Sequence, residues 1–152
     1  MTYQRKRVFI VHGWGGSPQE GWFPWLQTEL EKRNFKVYIP PMPDSEHPRM
    51  NAWLETLKTA IKTSDEDTYL VGHSVGCITI LRYLERLPQD QKIGGAILVG
   101  GFTDMGITVG EDEDIRELKS FFETKVDFEK IREHSSQFVA IHSNNDPYVD
   151  LH

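Results

Sequence analysis

A serine between two glycines at fixed spacing is the group in this chain best suited to do chemistry. It is Ser74, in the pentapeptide Gly-His-Ser-Val-Gly at residues 72–76. A short apolar run, Thr68–Val71, comes before it, and an apolar-periodic stretch, Val75–Leu87, comes after it. This pattern predicts a strand, a sharp turn and a helix, with the serine at the apex and its Oγ exposed. The glycines are needed because the turn brings strand and helix very close together.

Acyl transfer is the chemistry that such a serine performs, and it needs a base, an acid that orients the base, and donors for the developing oxyanion. We predict that the oxyanion donors are the backbone N–H groups of Val75 and Trp14. Trp14 stands in a glycine-rich loop, His12–Gly16, whose small residues allow a close approach. A phosphate cradle is the competing interpretation of this loop, but the loop has neither a Walker nor a dinucleotide-binding spacing.

Asp146 is the candidate for the acid. It lies in the turn Ser143–Pro147, just after a predicted strand, and the order serine before aspartate is that of the α/β-hydrolase triad. The alternative is that Asp146 only forms the turn before Pro147.

None of the six histidines is placed by the sequence as the base. His152 follows Asp146 too closely to return to Ser74, and His142, at the end of a strand, is the one alternative. We expect His12 to steady its own loop and His73 to point away from the substrate, with His47 and His134 at the surface or at helix ends. No histidine pair has metal-ligand spacing, so we expect no metal and no cofactor. Cys77 is interpreted as a buried packing residue.

Five short apolar runs predict the strands that position these groups. They are Arg7–Val11, Lys36–Ile39, Thr68–Val71, Ala96–Val99 and Phe138–Ile141. Helical stripes alternate with them, at Trp22–Leu30 with a stop at Asn34, Met50–Ile61, Val75–Leu87, Ile115–Phe122 and Phe128–Ile131. Because the runs lack polar alternation, we expect strands buried on both faces. The result is an α/β fold, a doubly wound parallel sheet in the order 2-1-3-4-5. Its carboxyl edge gathers the loops that carry Ser74, His12–Gly16, Gly100–Phe102 and Asp146.

Composition limits the classes of function. A single domain fits 152 residues, and 17 basic against 23 acidic residues give a net charge of −6, which argues against nucleic acid as a partner. No apolar stretch reaches membrane-spanning length, so we expect no membrane partner. The first residues leave no room for a signal peptide, and one cysteine excludes an internal disulfide. We therefore expect a cytoplasmic protein.

Together, seven segments resemble a family of small serine hydrolases typified by YdeN-like proteins and retinoblastoma-binding protein nine. The segments are Val11–Ser17, Trp22–Leu26, Pro41–Pro43, Trp53–Leu54, Val71–Cys77, Leu98–Phe102 and Asn145–Val149. The resemblance implies an α/β-hydrolase domain without a large lid, in which Ser74 is the nucleophile and Asp146 the triad acid. Small acyl esters or related carbonyl compounds are then the expected substrates.

Residues on the predicted rim are candidates for substrate binding. We assign His12, Gly13, Phe102 and Tyr148 to this role, and the side chains of Trp14 and Met105 are further candidates for an apolar acyl pocket. Ordinary packing explains the apolar ones equally well.

The family carries its triad histidine in a Gly-His segment near the C-terminus, and nothing in residues 1–152 corresponds to it. We therefore expect a C-terminally incomplete domain that continues with a helix, a sixth strand bearing the histidine, and a last helix. Without them Phe138–Ile141 is an exposed apolar edge. The alternative function is a catalytically inactive protein-interaction module on the same fold.

Overall fold

One parallel sheet organises the chain. The computed structural model describes residues 4–104 and 116–149, and five strands lie within them. The strands are β1 (Arg7–Val11), β2 (Lys36–Tyr38), β3 (Thr68–His73), β4 (Gly95–Val99) and β5 (Phe138–Ile141). The helices are α1 (Phe23–Lys32), α2 (Met50–Ile61), α3 (Val75–Glu85) and α4 (Phe128–Arg132), and residues 116–118 with the 3-10 turn Lys119–Phe121 form a further helical segment.

The strand order is β2-β1-β3-β4-β5 with every pair parallel, which confirms the predicted α/β architecture. The strand limits differ slightly from the prediction. β2 ends at Tyr38, and β3 runs two residues further than predicted, to His73. The reason is that β4 continues beside it, pairing Leu98 with Gly72 and Val99 with His73. The sheet therefore supports the chain right up to Ser74.

The helices follow their apolar stripes, and backbone geometry ends them. Asn34 has φ 68°, the predicted left-handed stop after α1, and Lys62 has φ 65° after α2. In the fourth stripe Leu118 is buried, whereas Ile115 lies outside the described residues. Among the helices that the structure describes, none has both the length and the apolarity needed to cross a bilayer.

Alternate residues of β1 enter two separate cores. Phe9 and Val11 pack with α2 and α3 on one face of the sheet, and Val8 and Ile10 pack with α1 on the other. Side chains alternate along a strand, so a strand between two helical layers must be apolar at every position. The prediction of strands buried on both faces is confirmed for β1.

In the part of the chain that the structure describes, β5 is less buried, and it is the exposed apolar edge expected for residues 1–152 alone. Val139 and Ile141 are 52% and 50% exposed, and Ile97 of β4, which pairs with Val139, is 38% exposed. These three residues continue the sheet face that α1 covers over β1 and β3. The predicted sixth strand and its covering helix would follow residue 152 and stay predictions.

A buried ion pair holds the segment 121–127 against α3. Arg82 is 3% exposed, and it donates hydrogen bonds to the carbonyl oxygens of Phe121 (3.0 Å) and Thr124. Its partner Glu85 lies 2.8 Å away and accepts a bond from the N–H of Asp127. The remaining polar atoms of the pair thus bond to backbone groups, which is the condition under which a buried ion pair is tolerated.

We expect the double variant Val139→Thr, Ile141→Thr to bind less of an apolar fluorescent dye and to aggregate less, because it removes exposed apolar surface. Both residues remain β-branched, so the free energy of unfolding should change by no more than about 0.5 kcal/mol. Dye fluorescence, light scattering and urea denaturation measure these effects. The matched control is Ile10→Thr on the buried part of the same face, which should lose roughly 2 kcal/mol or more. Unchanged dye binding in the double variant would contradict the exposure of this face.

Candidate active site

Ser74 has a backbone conformation that residues other than glycine avoid. Its φ is 53° and its ψ is −120°, and it follows β3 directly and precedes the first residue of α3. The N–H of Ser74 bonds to the carbonyl of Val99 (3.0 Å), and its own carbonyl accepts from the N–H of Cys77 (2.9 Å). Such strain persists only where the surroundings hold it, and it clusters at functional sites. The predicted sharp turn with serine at its apex is therefore present, and we call residues 72–76 the elbow.

Two glycines allow the backbones around Ser74 to approach one another. A Cβ added at Gly76 would lie 2.1 Å from the carbonyl oxygen of Val11, and one added at Gly72 would lie 2.9 Å from the N–H nitrogen of Cys77. α3 thus begins directly against the end of β1. Val75 is its first residue, and the first N–H groups of a helix have no partner within the helix. The role of the Val75 N–H as an oxyanion donor stays a prediction.

The loop after β1 lies against the serine. A Cβ added at Gly13 would be 3.2 Å from the Cβ of Ser74. His12 is 1% exposed, and its Nε2 accepts from the N–H of Met42 (3.0 Å), so its Nδ1 carries the proton and donates to the carbonyl of Gly13 (2.9 Å). Burial lowers the pKa of His12, which keeps this neutral tautomer. His12 steadies the loop, and its buried ring has both nitrogens engaged.

Trp14 is tied to the loop that follows β2. Its indole Nε1–H donates to the carbonyl of Glu46 (2.7 Å), and the N–H of Gly15 donates to the carbonyl of Ser45 (2.7 Å). The Trp14 side chain is partly buried and packs against the core that contains Phe9 and Val11. The role of its backbone N–H in an oxyanion hole stays a prediction.

Asp146 follows β5 in the chain and lies beside Gly100, the residue after the end of β4. Its Oδ1 accepts bonds from the N–H groups of Tyr148 (2.8 Å) and Val149 (3.1 Å), so it does form the turn. Its Oδ2 lies 3.7 Å from where a Cβ at Gly100 would stand, and Gly100 follows the residue that bonds to the Ser74 N–H. One carboxylate oxygen therefore builds the turn, while the other lies close to Gly100. The role of Asp146 as triad acid stays a prediction.

The other histidines that the structure describes differ in the exposure and the contacts of their rings. His73 contacts Trp22 and Phe23 of the α1 layer edge-on, and burial lowers its pKa, an effect that the negative charge of Asp146 opposes. His142 is exposed after β5. His152 lies outside the described residues.

The other two have partners away from the serine. His47 is at the surface, paired with Glu117 (3.4 Å). His134 follows α4 but is buried, and its Nδ1 bonds to the carbonyl of Gln91 (2.8 Å).

Aromatic side chains stand at the predicted rim. Phe102 stacks on Phe122, with ring centroids 5.4 Å apart, and both are partly buried, whereas Tyr148 is 65% exposed. Met105 lies outside the described residues. Sequence reasoning missed Phe122 because its helical spacing indicated only a core position. Its placement depends on the segment 119–122, which folds back beside the loop after β4.

Cys77 is a packing residue, as the sequence suggested. It is 1% exposed, its Sγ lies 3.4 Å from the carbonyl oxygen of Val99, and burial raises the pKa of the thiol to about 12. A Cβ added at Gly101 would be 2.8 Å from the Cβ of Cys77, so the small side chain lets the loop after β4 pass close to α3. A thiol with so high a pKa is a poor nucleophile.

Comparison with known proteins gives consistent matches over nearly the whole chain. A model of the family described as serine hydrolase matches residues 8–152. YdeN from Bacillus subtilis (strain 168) is 38% identical over 95% of this chain and 73% of its own length, and its crystal structure superposes with a TM-score of 0.86 over 96% of this chain and 75% of that one.

Two further matches differ in what they show. Serine hydrolase RBBP9 from Rattus norvegicus is 31% identical over 94% of this chain and 73% of its own length. Est1E from Butyrivibrio proteoclasticus superposes with a TM-score of 0.73 over 97% of this chain and 71% of that one. Its 14% identity shows a likeness of fold alone.

We expect Gly76→Ala to destabilise the protein by at least about 3 kcal/mol or to prevent folding, because the added methyl group meets the backbone of β1. Urea denaturation followed by circular dichroism measures the change. Gly21→Ala is the matched control, since Gly21 has φ 55° but open space around its Cα, and it should lose about 1 kcal/mol. Equal losses in the two variants would contradict the close contact at the elbow.

We expect the free energy of unfolding to fall as the pH drops below about 6.5. Burial lowers the pKa of His12 and His73 in the folded chain, so the unfolded chain takes up protons first. The free energy of unfolding is therefore at its full value above the pKa that these histidines have in the unfolded chain. Below that pKa, each histidine that takes up a proton only on unfolding lowers the free energy of unfolding by up to about 1.4 kcal/mol per pH unit. Urea titrations between pH 7.5 and 5.5 measure the slope.

The variant His12→Gln keeps an acceptor for the Met42 N–H and removes one titrating group, so its slope should be smaller. His142→Gln, at an exposed position, is the control. Stability that stays constant or rises on acidification would show that these two rings are not held neutral by burial.

Proposed function

Because the chain belongs to the serine hydrolase family, we propose that it cleaves small acyl esters, or related carbonyl substrates, through an acyl-enzyme on Ser74. The observation that carries the proposal is the backbone of Ser74, with φ 53° and ψ −120° at the junction of β3 and α3. Its environment supports it, because Gly13 lies against the serine on one side and Asp146 lies by Gly100 on the other.

The proposed reaction has two halves. Oγ of Ser74 attacks the carbonyl carbon while a base takes its proton, and the oxyanion accepts hydrogen bonds from the N–H groups of Val75 and Trp14. The base then gives that proton to the leaving alcohol, and the C–O bond to the alcohol breaks. Water attacks the acyl-enzyme in the same manner and releases the acid and the free serine.

Few of the described residues are candidates for the base in this mechanism. His12, His47 and His134 are engaged elsewhere, and His73 packs against α1. His142 is exposed directly after β5, whose last carbonyl accepts a bond from the N–H of Gly100, so it is the candidate among the described histidines. A histidine beyond residue 152, as the family resemblance implies, is the other candidate.

An apolar acyl group fits the rim better than a charged one. Trp14 and Phe102 are partly buried in the loops after β1 and β4, and Phe102 stacks on the partly buried Phe122. Burying an apolar acyl chain against such rings is favourable at about 25 cal/mol per Å² of apolar surface. We also propose a cytoplasmic location, in which the single cysteine, Cys77, would stay reduced.

A fluorophosphonate probe tests the proposal, because it forms a stable adduct with an activated serine. We expect labelling of the full-length protein and its loss in Ser74→Ala, while Ser136→Ala, which changes an exposed serine elsewhere, should label as the wild type does. Asp146→Asn should slow labelling by at least about a hundredfold, since the base loses its orienting acid. Normal labelling of His142→Asn would assign the base to another histidine.

Labelling that persists in Ser74→Ala would overturn the nucleophile. Complete absence of labelling in the full-length protein, together with no Gly-His segment after residue 152, would favour the interaction module on the same fold.

A further inference from the structure

We propose that the indole of Trp14 is a positioning residue that aims the backbone N–H of Trp14 at the oxyanion, by anchoring it to the carbonyl of Glu46. The inference rests on the proposed function and adds a role for a side chain that the sequence assigned only to packing or to the acyl pocket.

The peptide between Gly13 and Trp14 is held first at its carbonyl. The oxygen of Gly13 accepts bonds from Nδ1 of His12 (2.9 Å) and from the N–H of Gly16 (3.1 Å). This peptide is trans, so the N–H of Trp14 lies opposite that oxygen in the same plane. Two donors on the carbonyl therefore turn the N–H away from His12 and Gly16. The direction of the N–H also depends on where the Cα of Trp14 lies, because that atom is one end of the peptide plane.

The indole fixes the position of the Trp14 Cα. Nε1–H of Trp14 donates to the carbonyl of Glu46 (2.7 Å), and the next residue, Gly15, donates its N–H to the carbonyl of Ser45 (2.7 Å). Two consecutive residues of one loop thus bond to two consecutive carbonyls of the other. A displacement of the Trp14 Cα would stretch the indole bond, because the ring is attached to that atom.

The loop that accepts these bonds is itself stiff. It leaves β2 through Pro40 and Pro41, and Pro43 accepts a bond at its carbonyl from the indole of Trp53 (2.9 Å), a side chain of α2 that is fully buried. Proline fixes φ, so little backbone freedom remains near Met42. The anchor for Trp14 is thereby connected to the core rather than to a free surface loop.

The consequence for catalysis is a donor whose direction is set before substrate binds. Preorganised donors stabilise the transition state because no reorganisation accompanies the reaction. Loss of the indole bond should leave the N–H present but poorly aimed. It should therefore weaken transition-state binding more than substrate binding.

The test compares Trp14→Phe with Trp25→Phe, a substitution at an exposed tryptophan of α1. With a short-chain nitrophenyl ester, Trp14→Phe should lower kcat roughly tenfold to a hundredfold with little change in KM. It should lower the affinity for a trifluoromethyl ketone, which mimics the tetrahedral state, by a similar factor. Trp25→Phe should change none of these.

A second variant separates the hydrogen bond from packing. Benzothienylalanine at position 14 keeps the shape of tryptophan but has sulfur in place of the N–H, so it should reproduce the fall in kcat without loss of stability. Amide hydrogen exchange at residues 14–16 gives a readout independent of activity, and we expect faster exchange in both variants at position 14.

Unchanged kcat and unchanged ketone affinity in both variants at position 14 would overturn the inference. If the wild type is not labelled by the probe and does not hydrolyse the ester, the proposed function fails. Amide exchange is then the one test of the anchoring of Trp14. Faster exchange at residues 14–16 would support the anchor, and unchanged exchange would refute it.

Discussion

The structure depends on the contact of three backbones at Ser74. β1, β3 and the start of α3 approach so closely that a single methyl group at Gly76 would lie 2.1 Å from a carbonyl oxygen of β1. This contact holds Ser74 at φ 53°, a conformation that costs of order 1–3 kcal/mol and needs a rigid surrounding. The two apolar cores on either side of β1 supply the rigidity, because neither layer can shift without opening the other.

Buried polar groups hold the loops around this contact. On one side, His12 and the two loops after β1 and β2 form a hydrogen-bonded unit that connects the neighbourhood of Ser74 to Trp53 in the core. On the other side, Arg82 and Glu85 bind the backbone of residues 121–127, which carries Phe122 to the rim. In both cases a buried side chain satisfies carbonyl groups that lie outside regular elements, so the loops stay fixed without strands or helices of their own.

Local sequence signals predicted much of this arrangement. The apolar runs of β1 and β5 and the stripe of α2 mark their elements, and the glycines at 72 and 76 mark the elbow, since these signals depend on neighbours in the chain. Interactions between distant segments could not be predicted in this way. Arg82 would be a surface position of α3 if residues 121–127 did not fold over it. Nothing near Phe122 in the chain indicates that its ring stacks on Phe102. The exposure of Val139 and Ile141 likewise depends on what covers the sheet rather than on the strand itself.

The central claim is that a strained serine at the carboxyl edge of the sheet carries the acyl group during turnover. The most direct measurement is acid quenching within the first turnovers of an activated ester, followed by digestion and mass spectrometry of the peptide that contains residues 72–76. The account predicts an acyl mass on Ser74 that appears before steady state and disappears as substrate is exhausted. Turnover with the acyl group on another residue, or with no acyl-peptide at any time, would contradict it.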